Sequence, residues 1–567
     1  MPPPVDPAAT GPVLHRLVEA ALAEHGALLE PGEVEVVQRF LALPPAVGHL
    51  YARLLQRVRE TFRVDGLDEA DQAALPVLEA VALVDAEVAP AERLEALRVP
   101  ELQAVCRALG LPAGGRRATL VERLAGFDPP GFPILRRTLH RPLFRRLQRL
   151  LLRHPRADLR VVVLDLIGVQ PRPVYTPGPG APLFASRAEL LDFEEARAAL
   201  DACREGALAL PLLEPALAWL AASPPPTPAN RHFSTRRVAA KILALAAREL
   251  ERAAEPALAL ALYERLLEDG ALEPGELAQR AVLAAGSLDP AAAVRLADRW
   301  LPRVDPASSL ALERSARRLA RAAGLPRASP RLHAPVDRRL VLSGACGEGA
   351  RPLYRIDGQD LPVEPALVRL LAARGRRVLH AEAAPWTTLF ALILRDLYFL
   401  PLPGVLPVPW LTGPLDLGTP AFAEARQGPL ETRLAEVRAG AAPGLVRARF
   451  QAHAGELLAG ARWELCDGAA LTTIAQALGG PALARLLGRL AWEGWQAARG
   501  LPDLLILPGP ELDLPEANPS RLGPGLLLAE VKGPGDSVRD AQAAWFHLLL
   551  EEGAPVELWA VAREVFS

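Results

Sequence analysis

Apolar positions spaced three and four residues apart dominate the first half of the chain, and this spacing predicts helices. From Leu14 to about Glu92 the pattern is helical, with Leu50, Leu54 and Leu55 forming one apolar stripe. We therefore expect an N-terminal helical domain over residues 1–92. An ordinary helical bundle accounts for this region without any further function.

Residues 93–128 show a sharper pattern, in which two short helices flank a glycine-containing loop. Pro100 lies in the first turn of the first helix, and Gly110 ends that helix. The second helix starts near Thr119, directly after Arg116 and Arg117 in the loop. This arrangement resembles a SAP motif, which is a small DNA-binding module, and a generic helical hairpin is the alternative.

A basic helical linker region is expected over residues 129–229. Arg145, Arg149 and Arg153 recur every four residues and would share one helix face. Like charges on one face repel each other, so the spacing indicates a polyanion partner such as DNA. A solvated helix face is the alternative. The candidate DNA-binding arginines of this region are Arg136, Arg137, Arg141, Arg145, Arg146, Arg149 and Arg153.

Paired helices return over residues 230–337. Two of their apolar stripes end on the aromatic residues Tyr263 and Trp300, and this separation is close to the period of helical-hairpin repeats. We interpret the region as tetratricopeptide-like. The pattern changes near residue 338, where short strand-like runs begin.

Composition narrows the class of protein. The formal net charge is −2, so any nucleic-acid surface must be local. The four cysteines are scattered and indicate neither a zinc site nor a disulfide framework. The first residues lack a secretory signal pattern, and no apolar run has the length of a membrane span. We expect a cytoplasmic protein, and the scarcity of lysine in an alanine- and arginine-rich chain suggests a GC-rich bacterial genome.

The C-terminal unit carries the chemistry. Residues 501–507 and 526–532 are strand-like runs, residues 537–552 form a helix capped by Asp536, and residues 556–562 form a further strand. Side chains alternate along a strand, so Glu530 and Lys532 share one face, while Asp503 lies on the neighbouring strand. This order of elements is typical of the restriction-endonuclease-like α/β core.

These residue types suit metal-dependent cleavage of a phosphodiester. Mg²⁺ and Mn²⁺ prefer carboxylate oxygens and can activate water near neutral pH. Asp503 and Glu530 supply carboxylates, the Val531 carbonyl adds a backbone oxygen, and Lys532 would orient the water. Only two of the 64 basic residues are lysines, so arginine is avoided at position 532 in a chain that uses it almost everywhere else. A chance Asp and a chance Glu-Val-Lys in an ordinary sheet are the alternative.

The segments GLPDLLIL and LLAEVKGPGDSVRDAQAAWF resemble the VRR-NUC nuclease domain and, more narrowly, the Fanconi-anaemia-associated nuclease family with its bacterial members. The resemblance implies that Glu382 is a third metal carboxylate, that two Mg²⁺ or Mn²⁺ ions are used, that Gln542 belongs to the catalytic group, and that Arg280 contributes to a 5′-phosphate pocket. The matching positions are Gly500, Pro502, Asp503, Glu530, Val531, Lys532, Gly533, Pro534, Asp536, Gln542 and Trp545.

The family architecture predicts an α+β multidomain chain: a helical N-terminal region with SAP-like and tetratricopeptide-like parts, then a restriction-endonuclease-like nuclease core over residues 338–567. The resemblance implies 5′-flap cleavage, 5′-to-3′ exonuclease action on branched or flapped DNA, and interstrand-crosslink repair at the bacterial nucleoid. Two alternatives remain open. One is a junction-resolving or restriction-type endonuclease, and the other is a DNA-binding scaffold with an inactive nuclease fold.

Overall fold

The computed structural model describes residues 10–57, 59–127, 134–152, 171–179, 183–226, 230–345, 352–381, 383–406, 409, 411–514 and 521–564. The chain forms two compact units, Met1–Gln170 with Pro182–Leu190 and Pro171–Ala181 with Leu191–Ser567. The described part of the expected linker region 129–229 is thus shared between the two units. In the described ranges, no helix combines the length and the apolar character that crossing a membrane requires.

The first unit is mainly helical but also contains a small sheet. Its α-helices α1 to α8 are Thr10–His25, Pro31–Leu41, Pro45–Leu55, Glu69–Ala80, Pro90–Ala96, Val99–Ala108, Arg117–Arg123 and Arg141–Leu152. Short 3₁₀ helices span Gly26–Leu28 and Val64–Gly66. The strands β1, β2 and β3 are Thr61–Arg63, Val84–Asp85 and Leu135–Thr138.

That sheet was not predicted. Strand β3 lies between β1 and β2 and pairs antiparallel with both, so it joins segments more than fifty residues apart. Runs of two to four residues are too short to show a period of two, and the pairing is set by tertiary contacts. The SAP-like helices α5, α6 and α7 have a core of their own, made by Leu94, Leu97, Leu102, Cys106, Leu120 and Leu124.

The second unit begins with a run of helices, as the sequence predicts. Helices α9 to α15 are Arg187–Arg204, Leu213–Ala222, Thr235–Arg252, Pro256–Asp269, Pro274–Leu288, Pro290–Trp300 and Pro306–Ala322. Short 3₁₀ helices span Leu210–Leu212, Arg231–Phe233 and Leu301–Arg303. From α11 onward each helix packs on the next in chain order, which is the arrangement of helical-hairpin arrays.

The rest of the second unit combines a mixed sheet with helices. The helices α16 to α24 are Val363–Ala373, Ala384–Ile393, Arg395–Tyr398, Ala421–Glu424, Gln427–Arg438, Ala442–His453, Gly468–Leu478, Gly480–Glu493 and Asp540–Glu551, and a 3₁₀ helix spans Trp495–Gly500. The strands β4 to β12 are Val336–Ala345, Leu353–Ile356, Gln359–Leu361, Val378–His380, Leu504–Ile506, Leu512–Asp513, Arg521–Leu522, Leu527–Lys532 and Val556–Glu564.

Seven of these strands form one sheet in the order β6-β5-β4-β12-β11-β8-β7. Strand β11 pairs parallel with β12 on one side and antiparallel with β8 on the other. Helix α24 connects β11 to β12, so this crossover produces the predicted strand, strand, helix, strand core. The expected fold class is confirmed, with the helical N-terminal region, the SAP-like part and the nuclease-type core in the predicted order.

The two faces of the sheet enter different cores. Leu527, Ala529 and Val531 of β11 pack with residues of helix α16, whereas Leu526 and Leu528 pack with the larger helical core that includes α17, α23 and α24. The alternation of a strand therefore decides which side each residue of β11 faces. Glu530 and Lys532 continue the Leu526–Leu528 row towards the larger core.

A buried arginine organises the long segment between β8 and β11. The Arg376 side chain is only 1% exposed. Its guanidinium donates hydrogen bonds to the carbonyls of Gly509, Pro510, Gly523 and Gly525, at 2.8 to 3.3 Å. Both ends of this segment, referred to as the insertion, are thus fixed at one point, and β9 and β10 pair as a hairpin beyond it.

We expect Arg376→Met to destabilise the second unit by about 2–4 kcal/mol, because four carbonyls would lose a charged donor. Thermal unfolding measures this loss. Arg374→Met is the matched control, since Arg374 is exposed and donates to one carbonyl of the same hairpin, that of Asp513. Equal melting temperatures for the two variants would show that Arg376 does not hold the insertion.

Candidate active site

The candidate site is built on strand β11, where an apolar row turns charged. Leu528 faces the larger core, and Glu530 follows it on the same face with no solvent exposure. Lys532 comes next on that face and keeps 14% of its side chain exposed. The strand thus places a fully buried carboxyl group beside a nearly buried ammonium at the end of the apolar row.

Asp503 reaches the same place from the neighbouring strand. Leu504 pairs with Ala529, so Asp503 lies at the end of β8 beside the Glu530–Val531 peptide. Its Oδ2 accepts a hydrogen bond from the Val531 N–H at 3.0 Å. Its carbonyl accepts one from the Ala381 N–H at 2.6 Å, which ties the end of β7 to the site.

Gly500 explains how the preceding turn fits against helix α24. A Cβ atom at this position would lie 2.6 Å from the carbonyl atoms of Ala541, at the start of that helix. Only glycine permits this close approach. The Gly-Leu-Pro-Asp string therefore positions Asp503 and α24 together.

Gln542 connects the helix to the two charged residues of β11. Its Oε1 accepts hydrogen bonds from the Arg539 N–H at 2.9 Å and from Lys532 Nζ at 3.1 Å, and its Nε2 donates to Glu530 Oε1. Lys532 Nζ also donates to Glu530 Oε1 at 2.7 Å. Gln542 therefore caps the helix and orients Glu530 and Lys532, so its role here is positional.

The expected cap at Asp536 is wrong. Helix α24 starts at Asp540, with Arg539 as its N-cap residue, instead of near residue 537. The Asp536 carboxylate accepts a hydrogen bond from the Gly533 N–H at 3.1 Å and so closes the turn after Lys532. Aspartate suits both a helix cap and a tight turn, and the sequence does not distinguish these two uses.

The electrostatics of Glu530 favour a cation. Burial raises the pKa of Glu530 to about 7, and the charge of Asp503 acts in the same direction against the opposing effect of Lys532. Glu530 Oε2 is buried and has no hydrogen-bond partner. A buried polar atom without a partner is costly, and a metal ion held by the two carboxyl groups would satisfy it. Asp503 and Glu530 therefore fit a hard divalent cation.

Glu382 and Arg153 of the predicted set lie outside the described residues. Ala381, directly before Glu382, is bonded to Asp503 as described above, and helix α17 begins just after it, at Ala384. The role of Glu382 as a metal ligand therefore stays a prediction, as does that of the Val531 carbonyl.

Most of the arginines expected to contact DNA bind carboxylates or carbonyls of the protein. Arg141 is only 4% exposed and donates to the Leu55 carbonyl at 3.0 Å, a position that does not suit a DNA contact. Arg116 and Arg145 are exposed. Arg149 donates to the Arg145 carbonyl at 3.2 Å. The ion pairs are Arg117–Glu95, Arg136–Glu79, Arg137–Asp85, Arg146–Glu33 and Arg280–Glu251.

A second group of possible metal ligands lies away from β11. His333, His547 and Glu551 come close together at the protein surface. The His547 Nδ1 accepts the His333 N–H at 3.2 Å, so a neutral His547 ring carries its proton on Nε2, which faces Glu551 at 3.5 Å. That ring offers no free lone pair for a cation, so this group fits a metal less well than the β11 carboxylates do.

The sheet and its site define a restriction-endonuclease-like nuclease fold. Asp503, Glu530 and Lys532 lie on adjacent strands, and Gln542 lies on the crossover helix. Comparison with known families agrees with this class. The model of the VRR-NUC domain matches residues 439–563, and that of the SAP domain matches residues 93–129. The first match includes all four residues of the β11 site.

The relatives are Fanconi-associated nucleases. The chain is 32% identical over 220 residues to the Fanconi-associated nuclease 1 homolog of Oryza sativa subsp. japonica. The aligned region makes up 38% of this chain and 22% of that protein. The chain is also 30% identical over 190 residues to Fanconi-associated nuclease 1 of Homo sapiens. This second aligned region makes up 32% of this chain and 17% of that protein. The chain therefore spans about a fifth of the length of these two relatives.

Solved structures extend the likeness to the whole chain. The crystal structure of paFAN1 bound to 2nt 5′flap DNA with gap superposes with a TM-score of 0.78 at 24% identity and covers 100% of both chains. The paFAN1 complex with 1nt 5′flap DNA with gap gives a TM-score of 0.74 at 25% identity, covering 98% of this chain and 100% of that one. The fold of this chain is thus similar to that of paFAN1 throughout.

The raised pKa of Glu530 makes stability depend on pH. Between its ordinary pKa and about 7 the folded protein holds a proton that the unfolded chain releases, so Glu530 lowers stability as pH rises through this window. We expect Glu530→Gln to leave the melting temperature of the metal-free protein unchanged at pH 4.5. At pH 8 the same change should raise the melting temperature, because it increases the free energy of unfolding by about 1–3 kcal/mol. An equal difference at both pH values would contradict the buried, proton-holding carboxyl.

Proposed function

We propose that this chain is a metal-dependent, structure-specific DNA nuclease that hydrolyses phosphodiesters, cleaves 5′ flaps and degrades DNA in the 5′-to-3′ direction. The buried Glu530 carboxyl with its unpartnered Oε2, next to the half-buried Asp503, is the observation that carries this proposal. The likeness to paFAN1, which was crystallised with 5′flap DNA, supports the choice of branched or flapped DNA as substrate.

Asp503, Glu530, the Val531 carbonyl and Glu382 would hold the metal, and we propose two Mg²⁺ or Mn²⁺ ions. Such ions neutralise charge on the phosphate and lower the pKa of bound water. The residues of the chain supply the positioning. Lys532, which is fixed by Glu530 and Gln542, orients the attacking water and can exchange a proton with it.

The remaining assignments concern DNA and biological context. Arg116 and Arg145 are the exposed candidates for phosphate contacts in the first unit, and Arg280 is proposed for a 5′-phosphate. The names of the relatives support a role in repair, which we propose to be that of interstrand crosslinks. The near absence of lysine and the end-to-end match to paFAN1 support a bacterial, nucleoid-associated member of the family.

The carboxylates provide the first test. We expect Asp503→Asn, Glu530→Gln and Glu382→Gln each to reduce cleavage of a 5′-flap substrate in Mn²⁺ by at least about 100-fold, because each removes charge from the metal site. Flap affinity, measured by fluorescence anisotropy in EDTA, should stay near the parental value. Asp513→Asn is the matched control, since it removes an exposed carboxylate on the nearby hairpin. Parental activity in any of the three variants would remove that residue from the site.

Lys532 provides the second test. We expect Lys532→Arg to be almost as inactive as Lys532→Ala, a loss of at least about 100-fold. A guanidinium is wider than an ammonium, cannot give up its proton, and would not fit between Glu530 Oε1 and Gln542 Oε1. Single-turnover cleavage measures the effect. Near-parental cleavage by Lys532→Arg would mean that the lysine acts only as a positive charge.

A further inference from the structure

Trp545 lies on helix α24, and the reaction proposed above gives it no role. It follows Gln542 by three residues, so the two side chains share one face of the helix. The Trp545 side chain is fully buried, and its indole N–H donates a hydrogen bond to the Ala497 carbonyl at 2.6 Å. Ala497 belongs to the 3₁₀ helix Trp495–Gly500, which leads directly to Asp503. One side chain therefore joins the helix that carries Gln542 to the segment that carries Asp503.

The same 3₁₀ helix is also fixed at its two ends. Its last residue, Gly500, packs against Ala541 of α24, as described above. Before its first residue, Gly494 packs so closely on the Gly418 carbonyl that a Cβ atom there would collide with the oxygen. Both of these contacts are made by backbone atoms. The bond from Trp545 holds the middle of the 3₁₀ helix, and a side-chain substitution can remove it while leaving the glycines in place.

A buried cation holds the indole in its orientation. The Arg489 guanidinium of helix α23 lies over the Trp545 ring, 4.1 Å from its centroid, and Arg489 is only 7% exposed. Its Nε donates to both carboxylate oxygens of Glu493 at 3.0 Å, which fixes the guanidinium from the other side. A desolvated cation over an aromatic face is a favourable contact. Phenylalanine at position 545 would keep this stacking and lose the N–H bond to Ala497.

We propose that Trp545 is a positioning residue for the metal site, and that its bond to Ala497 sets the separation between Asp503 and Glu530. The two carboxyl groups approach the cation from different elements, because Gln542 of α24 orients Glu530 and the 3₁₀ helix precedes Asp503. Metal–oxygen distances are narrowly defined, so a small shift between these elements weakens binding. The inference rests on the proposed function for the existence of the metal site, but it depends on neither cleavage nor DNA.

Mn²⁺ affinity without DNA separates positioning from packing. Electron paramagnetic resonance measures free Mn²⁺ at a temperature well below melting, and the binding that Glu530→Gln removes is assigned to the β11 site. We expect Trp545→Phe to weaken this binding about tenfold, the order found for residues that orient metal ligands. Trp463→Phe is the matched control, because the Trp463 indole also donates to a backbone carbonyl at 2.6 Å, that of Glu456. It should bind Mn²⁺ like the parental protein.

Two results of this comparison would overturn the proposal. One is a Trp545→Phe variant that binds Mn²⁺ with parental affinity, and the other is an equal loss in both phenylalanine variants. Replacing Trp545 with benzothienylalanine keeps the shape of the ring and exchanges its N–H for sulfur, so this variant retains the packing if phenylalanine unfolds the core. It should show the same loss of Mn²⁺ affinity, and parental affinity would likewise overturn the proposal.

The dependence of flap cleavage on Mn²⁺ gives a second readout. We expect Trp545→Phe to raise the half-saturating Mn²⁺ concentration about tenfold and to keep the rate at saturating Mn²⁺ within about threefold of the parental rate. A lower saturating rate with unchanged Mn²⁺ dependence would contradict a role in positioning the ligands. A parental protein that binds Mn²⁺ at β11 without cleaving DNA would contradict the proposed nuclease activity, whereas the comparison of Mn²⁺ affinities would still decide the role of Trp545.

Discussion

The structure depends most on one buried carboxyl group. Glu530 lies on a central strand with no solvent exposure, next to a second carboxyl group and with one oxygen unpartnered. A protein of this size could place an apolar residue there and gain stability, as it does at Leu526 and Leu528 on the same row. The unfavourable group is explained if the folded protein binds a divalent cation, which converts two repelling carboxylates into a ligand pair.

The surrounding scaffold keeps this group in place without neutralising it fully. Lys532 and Gln542 both bond to Oε1 of Glu530 and leave Oε2 free. Gly500 allows helix α24, and therefore Gln542, to approach the strand that carries Asp503. Arg376 gathers the ends of the insertion between the two strands, so its length does not disturb their register. Each of these contacts constrains the backbone on one side of the carboxyl pair.

Local patterns predicted the nuclease core well. The strands around Asp503 and Glu530 were predictable because short continuous apolar runs between glycines and prolines are local signals. The start of α24 was missed because Asp536 closes a turn instead of capping the helix. The small sheet of the first unit was missed because β3 pairs with segments far away in sequence.

Surface charge was the least predictable feature. A run of arginines indicates a polyanion partner only if the arginines stay unpaired, and their carboxylate partners come from distant segments, as Glu33 does for Arg146. Ion pairing across the fold, rather than charge density along the chain, decides which basic residues are available to DNA.

The most direct test is an anomalous-difference map from crystals soaked in Mn²⁺. The account predicts a peak beside Glu530 Oε2 and the Asp503 carboxylate, and its loss in crystals of Glu530→Gln. A map with Mn²⁺ only at the surface group of His333, His547 and Glu551, or a peak at β11 that persists in the Gln variant, would contradict the assignment of the metal to Asp503 and Glu530.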